Sequence, residues 1–424
     1  MKKLSVPRIA PSLALAIAIL AAPLSAAVLP QEDVQTGPEA QQSTPPAAAS
    51  QDQPAAEEKK ATPDAGKVTF SGYLEAFYSY NFNDPSNRIT NFRGFDNRAN
   101  TFTISNAVLG AAWEKSSVSA KVTAQVGHTP DTYYLAEPAA AGTSSTPASS
   151  ATTTWKYLQE AWVGYRAPVG NGLLFQGGIF LSPIGVEGMA VKDNWNWSRS
   201  NLFFGLPFYH AGLRATYELS KPWSVELMVS NGWNDIVDNN KQKSVEVSAT
   251  YTPSDSLKVH LLYFGGVERS TGAPEGQPWR NLFDAYAQWD ATKSLSFILH
   301  GDAGFENNAF GTSDWKALAG YVRFQLASPL FLALRGDVFW EHVASNTAGT
   351  ASAIFWPASR VASGTITLDY RPLDAISIRL EARHDGATAP MYFRGSVSGD
   401  GVSVPYVPNA GTQNTVTLGA TAWF

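Results

Sequence analysis

The 424-residue chain is lightly charged, with 16% Asp, Glu, Lys and Arg, 12% aromatics and a formal net charge of -5. Average soluble proteins carry about 25% charged residues, and without a basic excess the chain shows no nucleic-acid footprint. Cysteine is absent, which excludes disulfides and thiolate metal sites.

Lys2, Lys3 and Arg8 lead into an apolar run from Ile9 to Leu24, and Ser25, Ala26 and Ala27 are small enough for cleavage. Residues 1–27 therefore read as a secretory signal peptide; an uncleaved N-terminal anchor is the other reading. No later stretch reaches the ~18 consecutive apolar residues of a transmembrane helix, so a membrane location requires a closed barrel. Residues 28–66 are rich in Ala, Pro, Gln and Glu with almost no large hydrophobes. They cannot bury enough apolar area to fold and are expected to form a disordered periplasmic tail, with a tether to the cell wall or a partner as the sharper possibility.

From Val68 onward, alternating segments recur, separated by turn residues. The candidates are 68–80, 101–113, 117–127, 155–166, 173–181, 209–219, 223–231, 243–252, 257–266, 279–290, 295–305, 315–326, 330–340, 360–371, 375–384 and 413–424. In ISIRLEARHD (376–385), Ile376, Ile378, Leu380 and Ala382 share one parity, and Arg379, Glu381, Arg383 and Asp385 share the other. Alternation alone leaves open which face points inward. The connections decide it. Short ones (114–117, 168–172, 220–223, 253–256, 290–294, 328–329, 371–375) alternate with long ones (81–100, 128–154, 181–208, 231–242, 267–278, 306–314, 341–359, 385–412). Short periplasmic turns and longer external loops mark bacterial outer-membrane barrels. The expected fold is an all-β, antiparallel transmembrane barrel of about sixteen strands over residues 67–424. The final strand TVTLGATAWF ends in Trp423 and Phe424, as expected of a strand that closes on the first. Tyr78, Tyr80, Trp113, Tyr165, Tyr217, Tyr251, Tyr263, Trp289, Trp340 and Tyr370 lie near strand ends and suggest interfacial girdles, although ordinary β-propensity would also enrich them.

With aliphatics turned to lipid, the opposite parity lines the lumen: Glu75, Lys121, Glu160, Arg214, Glu226, Glu246, Lys258, His260, Asp284, His300, Asp302, Arg323, Arg335, Asp337, Asp369, Arg379, Glu381 and Arg383. The late arginines are expected to set a transverse field across the bore; a merely wetted wall is the plainer reading. The arginine cluster hints at anions and the net charge at cations. The third long connection, residues 182–210, combines Glu187, Lys192, Asp193 and Arg199 with Trp195, Trp197, Phe203 and Phe204. So many aromatics imply that it packs on something. Two places suit it: inside the barrel as a constriction, by analogy with sixteen-stranded porins, or on the rim or a neighbouring subunit.

GYLEAFYSYNFNDPSNRITNFRGFDNRANTFTISNAVLGAAWE (72–114) and PIGVEGMAVKDNWNWSRSNLFFGLPFYHAGLRATYE (183–218) resemble the OmpL-like family of β-barrel porins. The resemblance spans about 68 to 424 and implies an outer-membrane porin in a Gram-negative bacterium. It speaks to fold and location more than to solute. No G-x-S-x-G elbow, H-E-x-x-H helix or phosphate-cradling loop is present, so no catalytic residue, metal or cofactor is expected. The function expected is passive diffusion of small hydrophilic solutes or ions, with outer-membrane lipid as a partner and, by analogy with sixteen-stranded porins, further copies of the chain in a trimer. The alternative is a structural or adhesion barrel with a plugged lumen.

Overall fold

The computed structural model describes residues 65–133 and 155–424. The chain divides into Met1–Ala65 and Gly66–Phe424; the signal peptide (1–27) and residues 28–64 of the tail lie outside the described residues. Gly66–Phe424 is built almost wholly of strands: β1 (Lys67–Asn81), β2 (Phe102–Lys115), β3 (Val118–Val126), β4 (Leu158–Ala167), β5 (Leu173–Leu181), β6 (Tyr209–Ser220), β7 (Trp223–Ser230), β8 (Ser244–Ser254), β9 (Leu257–Val267), β10 (Trp279–Thr292), β11 (Leu295–Asn308), β12 (Gly311–Ala327), β13 (Leu330–His342), β14 (Arg360–Leu373), β15 (Ile376–Ala387) and β16 (Thr412–Trp423). Each pairs antiparallel with its neighbours, and β1 closes on β16 from Tyr73↔Trp423 to Asn81↔Thr415. Closure leaves the sheet without an open edge.

Alternation along each strand sorts the side chains between two faces. On β15, Ser377, Arg379, Glu381, Arg383 and Asp385 are buried while Ile378 is exposed. The greasy row therefore faces outward and the charged row inward, the reverse of a soluble sandwich. Leu109, Leu213, Leu227, Val247, Leu261, Leu299, Leu318 and Leu418 share the exposed outer face. Near strand ends this face carries Tyr165, Trp289, Tyr370 and Trp340, and Trp223 lies on Tyr251 with ring centroids 4.4 Å apart.

One connection departs from the sequence expectation. The long loop at 306–314 does not form: β11 runs to Asn308, β12 begins at Gly311, and Asn308 pairs directly with Gly311. Polar cross-strand contacts carry the hairpin onward, with Thr312 donating to Asn307 at 2.8 Å and Asn308 to Ser313 at 3.1 Å. The polar residues taken for a loop are the tip of a strand pair.

Candidate functional site

The inward row of β13–β15 is densely charged, and Arg335, Arg379 and Arg383 each have both a carboxylate and a main-chain acceptor. Arg379 is fully buried, lies 3.2 Å from Asp369, and donates to the carbonyls of Val191 (2.8 Å) and Asn196 (3.0 Å). Arg335 meets Glu187 at 3.0 Å and Asp337 at 3.4 Å, and donates to the carbonyls of Ser198 and Arg199 and to Thr365. Arg383 donates to Asp385 at 2.7 Å and also reaches the Arg199 carbonyl. Guanidinium suits this task because its planar fork serves several acceptors at once.

The acids on the same wall take the complementary main-chain donors. Glu381 accepts from the amides of Trp197 (2.6 Å) and Ser198 (3.0 Å) and from the Thr367 hydroxyl. Asp337 accepts from the amide and side chain of Asn201, the first residue of a single helical turn, Asn201–Phe204. Ser200 caps that turn by accepting from the Phe203 amide. On β1, Glu75 accepts from the Val191 amide at 2.6 Å, and on β10, Asp284 accepts from the Gly185 amide at 3.3 Å. Residues 182–208 thus bond to inward side chains on β1, β10, β13, β14 and β15. Trp197 also packs on Phe77 at 5.9 Å, and its ring lies where a Cβ at Gly419 would approach to 2.3 Å. Only glycine permits that contact.

Part of the remaining inner wall is apolar where polar residues were expected. Leu262, Phe264, Leu282, Ile298, Trp315, Ala317 and Phe339 face inward on β9–β13 and form one core with Ile184, Trp195, Leu202 and Leu206. Trp233, Trp356, Met391 and Tyr392, from three other connections, join it. Sequence reasoning missed these wall residues because the barrel rule reads inward positions as polar. The available signal was LLYFGGV (261–267), where both parities turn apolar.

The other expected site residues have partners of their own. Lys121 pairs with Glu160 at 2.5 Å across β3 and β4. Arg214 donates to Gln176 at 2.7 Å and covers the Phe180 ring at 4.3 Å. Arg323 lies over Trp195 at 4.8 Å. Lys192 bonds its neighbour Asp193, and this pair is the most open part of the third connection. With Tyr73, Lys121, Gln159 and Glu160 it lines a cavity of about 290 Å³. Arg199 donates to the carbonyls of Trp197 and Gly188 and covers Phe95 at 5.2 Å. A tie that the sequence did not reveal joins the first connection to the wall: Arg93 lies 3.3 Å from Asp385 and holds Asp96. Burial would raise the Asp96 carboxyl, but the Arg93 guanidinium holds it below the usual range. Among the described residues no group of three His, Asp or Glu could hold a metal ion, and no helix is long and apolar enough to cross a membrane.

A closed sixteen-stranded antiparallel barrel, apolar outside and charged inside, is the architecture of an outer-membrane porin. A family model described as "Putative beta-barrel porin-2, OmpL-like" matches residues 67–424. The chain belongs to that family and is an outer-membrane porin channel. Its fold is similar to three solved structures. In-vitro folded OmpT, an outer membrane protein of Vibrio cholerae, is 12% identical with a TM-score of 0.51, covering 86% of this chain and 99% of that one. An anion-selective porin from Comamonas acidovorans is 11% identical with a TM-score of 0.53, covering 85% and 100%. The outer membrane channel DcaP of Acinetobacter baumannii is 12% identical with a TM-score of 0.52, covering 86% and 99%. No curated protein sequence matches the chain.

With lipid against the outer face, Leu418→Arg, midway along β16, is expected to cost about 2–4 kcal/mol. Denaturant unfolding in lipid vesicles measures this, and unchanged stability would place Leu418 outside the hydrocarbon layer.

Proposed function

We propose that residues 182–208 lie within the lumen as the constriction of a passive channel for small hydrophilic solutes or ions. The observation that carries this reading is the set of hydrogen bonds from their backbone to inward side chains on both sides of the barrel, Glu75 and Asp284 as well as Arg335, Arg379 and Glu381. A segment on the outer rim has no access to those groups. The wall arginines then act first as anchors for the constriction, and their charge is largely met by Asp369, Asp337 and Asp385. The open Lys192–Asp193 pair and the cavity beside it support a water path along β1–β4. Residues 1–27 fit the export signal such a channel needs and 28–66 a periplasmic tail.

Planar-bilayer recording tests the reading, with stepwise conductance as the expected result. Because the chain has no cysteine, Lys192→Cys and Asp193→Cys give single reactive thiols. A membrane-impermeant bulky thiol reagent is expected to reduce conductance in both. Full labelling with conductance unchanged would remove this segment from the path. A channel that stays silent while correctly folded would instead favour a structural barrel with a plugged lumen.

A further inference from the structure

The inner wall has two electrostatically unlike halves. On β13–β15 the arginines and carboxylates meet one another and the main chain of residues 182–208. On β7–β11 the inward carboxylates Glu226, Glu246 and Asp302 have no such company, and Asp284 takes only the Gly185 amide from that segment. Asp284 sits directly opposite Asp302 in the register, and its one close side-chain partner is His300 at 2.6 Å. Glu246 is fully buried and Asp302 is 6% exposed, yet neither oxygen of either carboxylate has a hydrogen-bond partner. The Ser248 hydroxyl lies beside Glu246 and the Trp315 indole beside Asp302, but neither closes a bond of good geometry. One oxygen of Glu226 is unpaired as well, and Arg214 is turned away onto Gln176 and Phe180. Of the other charged and imidazole groups on these strands, Arg280 is paired with Glu306 at 3.0 Å, Asp290 accepts from Ser296, His260 bonds to Thr250, and the exposed Lys258 lies over the Tyr286 ring.

Buried carboxylates without donors carry a large desolvation cost that only a proton or a cation relieves. The register places Met228 and Phe264 beside Glu246 and Leu262 beside Asp284. Such neighbours cannot replace the hydration shell of an inorganic ion, and among the described residues no metal-holding group of ligands converges. An ammonium or guanidinium on an organic body brings its own N–H donors, is more weakly hydrated, and gains from aromatic faces. Toward the short turns, Glu226 and Gln288 are partly exposed.

We infer that the inward face of β7–β11 binds small organic cations, with Glu246 and Asp302 accepting their N–H groups. This inference rests on the porin reading, and one experiment separates the two. Purified full-length protein is recorded in planar bilayers in potassium chloride with spermidine added on the short-turn side, against magnesium chloride at equal ionic strength. Spermidine is expected to block the current and magnesium to block it far less. In Glu246→Gln/Asp302→Asn the half-blocking concentration is expected to rise by about tenfold or more, as loss of charge-assisted contacts implies. A conducting channel with equal block by both cations, or equal spermidine block in wild type and variant, overturns the inference and leaves the porin reading intact. Absence of any potassium chloride conductance overturns both. Should the double variant fail to assemble, Glu246→Gln alone and the wild-type reversal potential in an arginine chloride gradient decide the point. There the expected sign is organic-cation preference, and an anion-preferring potential overturns it.

Discussion

Arg379→Met is expected to unseat residues 191–198 and convert steady conductance into larger, switching levels. The guanidinium is fully buried, and one nitrogen serves two carbonyls, those of Val191 and Asn196, while another lies beside Asp369. Removing it leaves the carbonyls of Val191 and Asn196 without their donor while Asp369 keeps Arg371 at 2.9 Å, so the loss is expected to fall below the about 3–5 kcal/mol of a fully broken buried pair. The ladder hydrogen bonds of β14–β16 do not depend on that side chain, so the loss falls on the third connection and the barrel still closes. Arg379→Lys is expected to rescue only partly, since one ammonium cannot reproduce the planar fork. Single-channel recording together with limited proteolysis of residues 182–208 checks this. Unchanged conductance and protection would mean that Arg335, Arg383 and Glu381 suffice to hold the segment.

The barrel was legible in the sequence because its two rules act at every position. Alternation fixed which residues share a face, and the in-phase loop lengths chose which face meets lipid. Each expected strand has a counterpart in the structure, and Arg335, Arg379, Glu381 and Arg383 lie on the inward face with Asp337. What stayed hidden was what those side chains bind. Arg379 and Arg383 are held largely by carbonyls of Val191, Asn196 and Arg199, and a main-chain acceptor leaves no mark in residue identity. For the same reason the arginines read as a bare field across water and not as anchors. The aromatics of 182–208 did announce a packing partner, but the partner, Phe264, Leu282, Trp315 and Phe339, sits where a barrel rule expects polar groups. The misread connection at 306–314 has a local cause. Polar residues fit a loop or a strand tip equally well, and only the pairing of β11 with β12 distinguishes them.

Trp315→Ala is expected to produce the largest loss in the apolar half of the lumen, about 3–5 kcal/mol for a buried Trp truncation. Trp315 is nearly fully buried, lies edge-on to Phe355 at 5.1 Å and to Trp233 at 6.4 Å, and so joins two external connections to the wall. It also fills the space over Gly304, where an added Cβ would come within 2.1 Å of the indole. Two consequences follow from that placement. The void left by the indole loosens the cover formed by Trp233 and Phe355, so the single variant is expected to conduct more and unfold at lower denaturant. Gly304→Val alone is expected to destabilise by collision, because its Cβ would meet both the indole and the Asn281 carbonyl. Combined with Trp315→Ala, the same valine loses its collision with the indole but still meets the Asn281 carbonyl, 2.3 Å from its Cβ, so the two costs are expected to overlap only in part, a non-additivity characteristic of residues in contact. A double-mutant cycle on unfolding and conductance measures the coupling. Strict additivity of the two substitutions would show that Trp315 does not seal the lumen through its contact with the β11 wall.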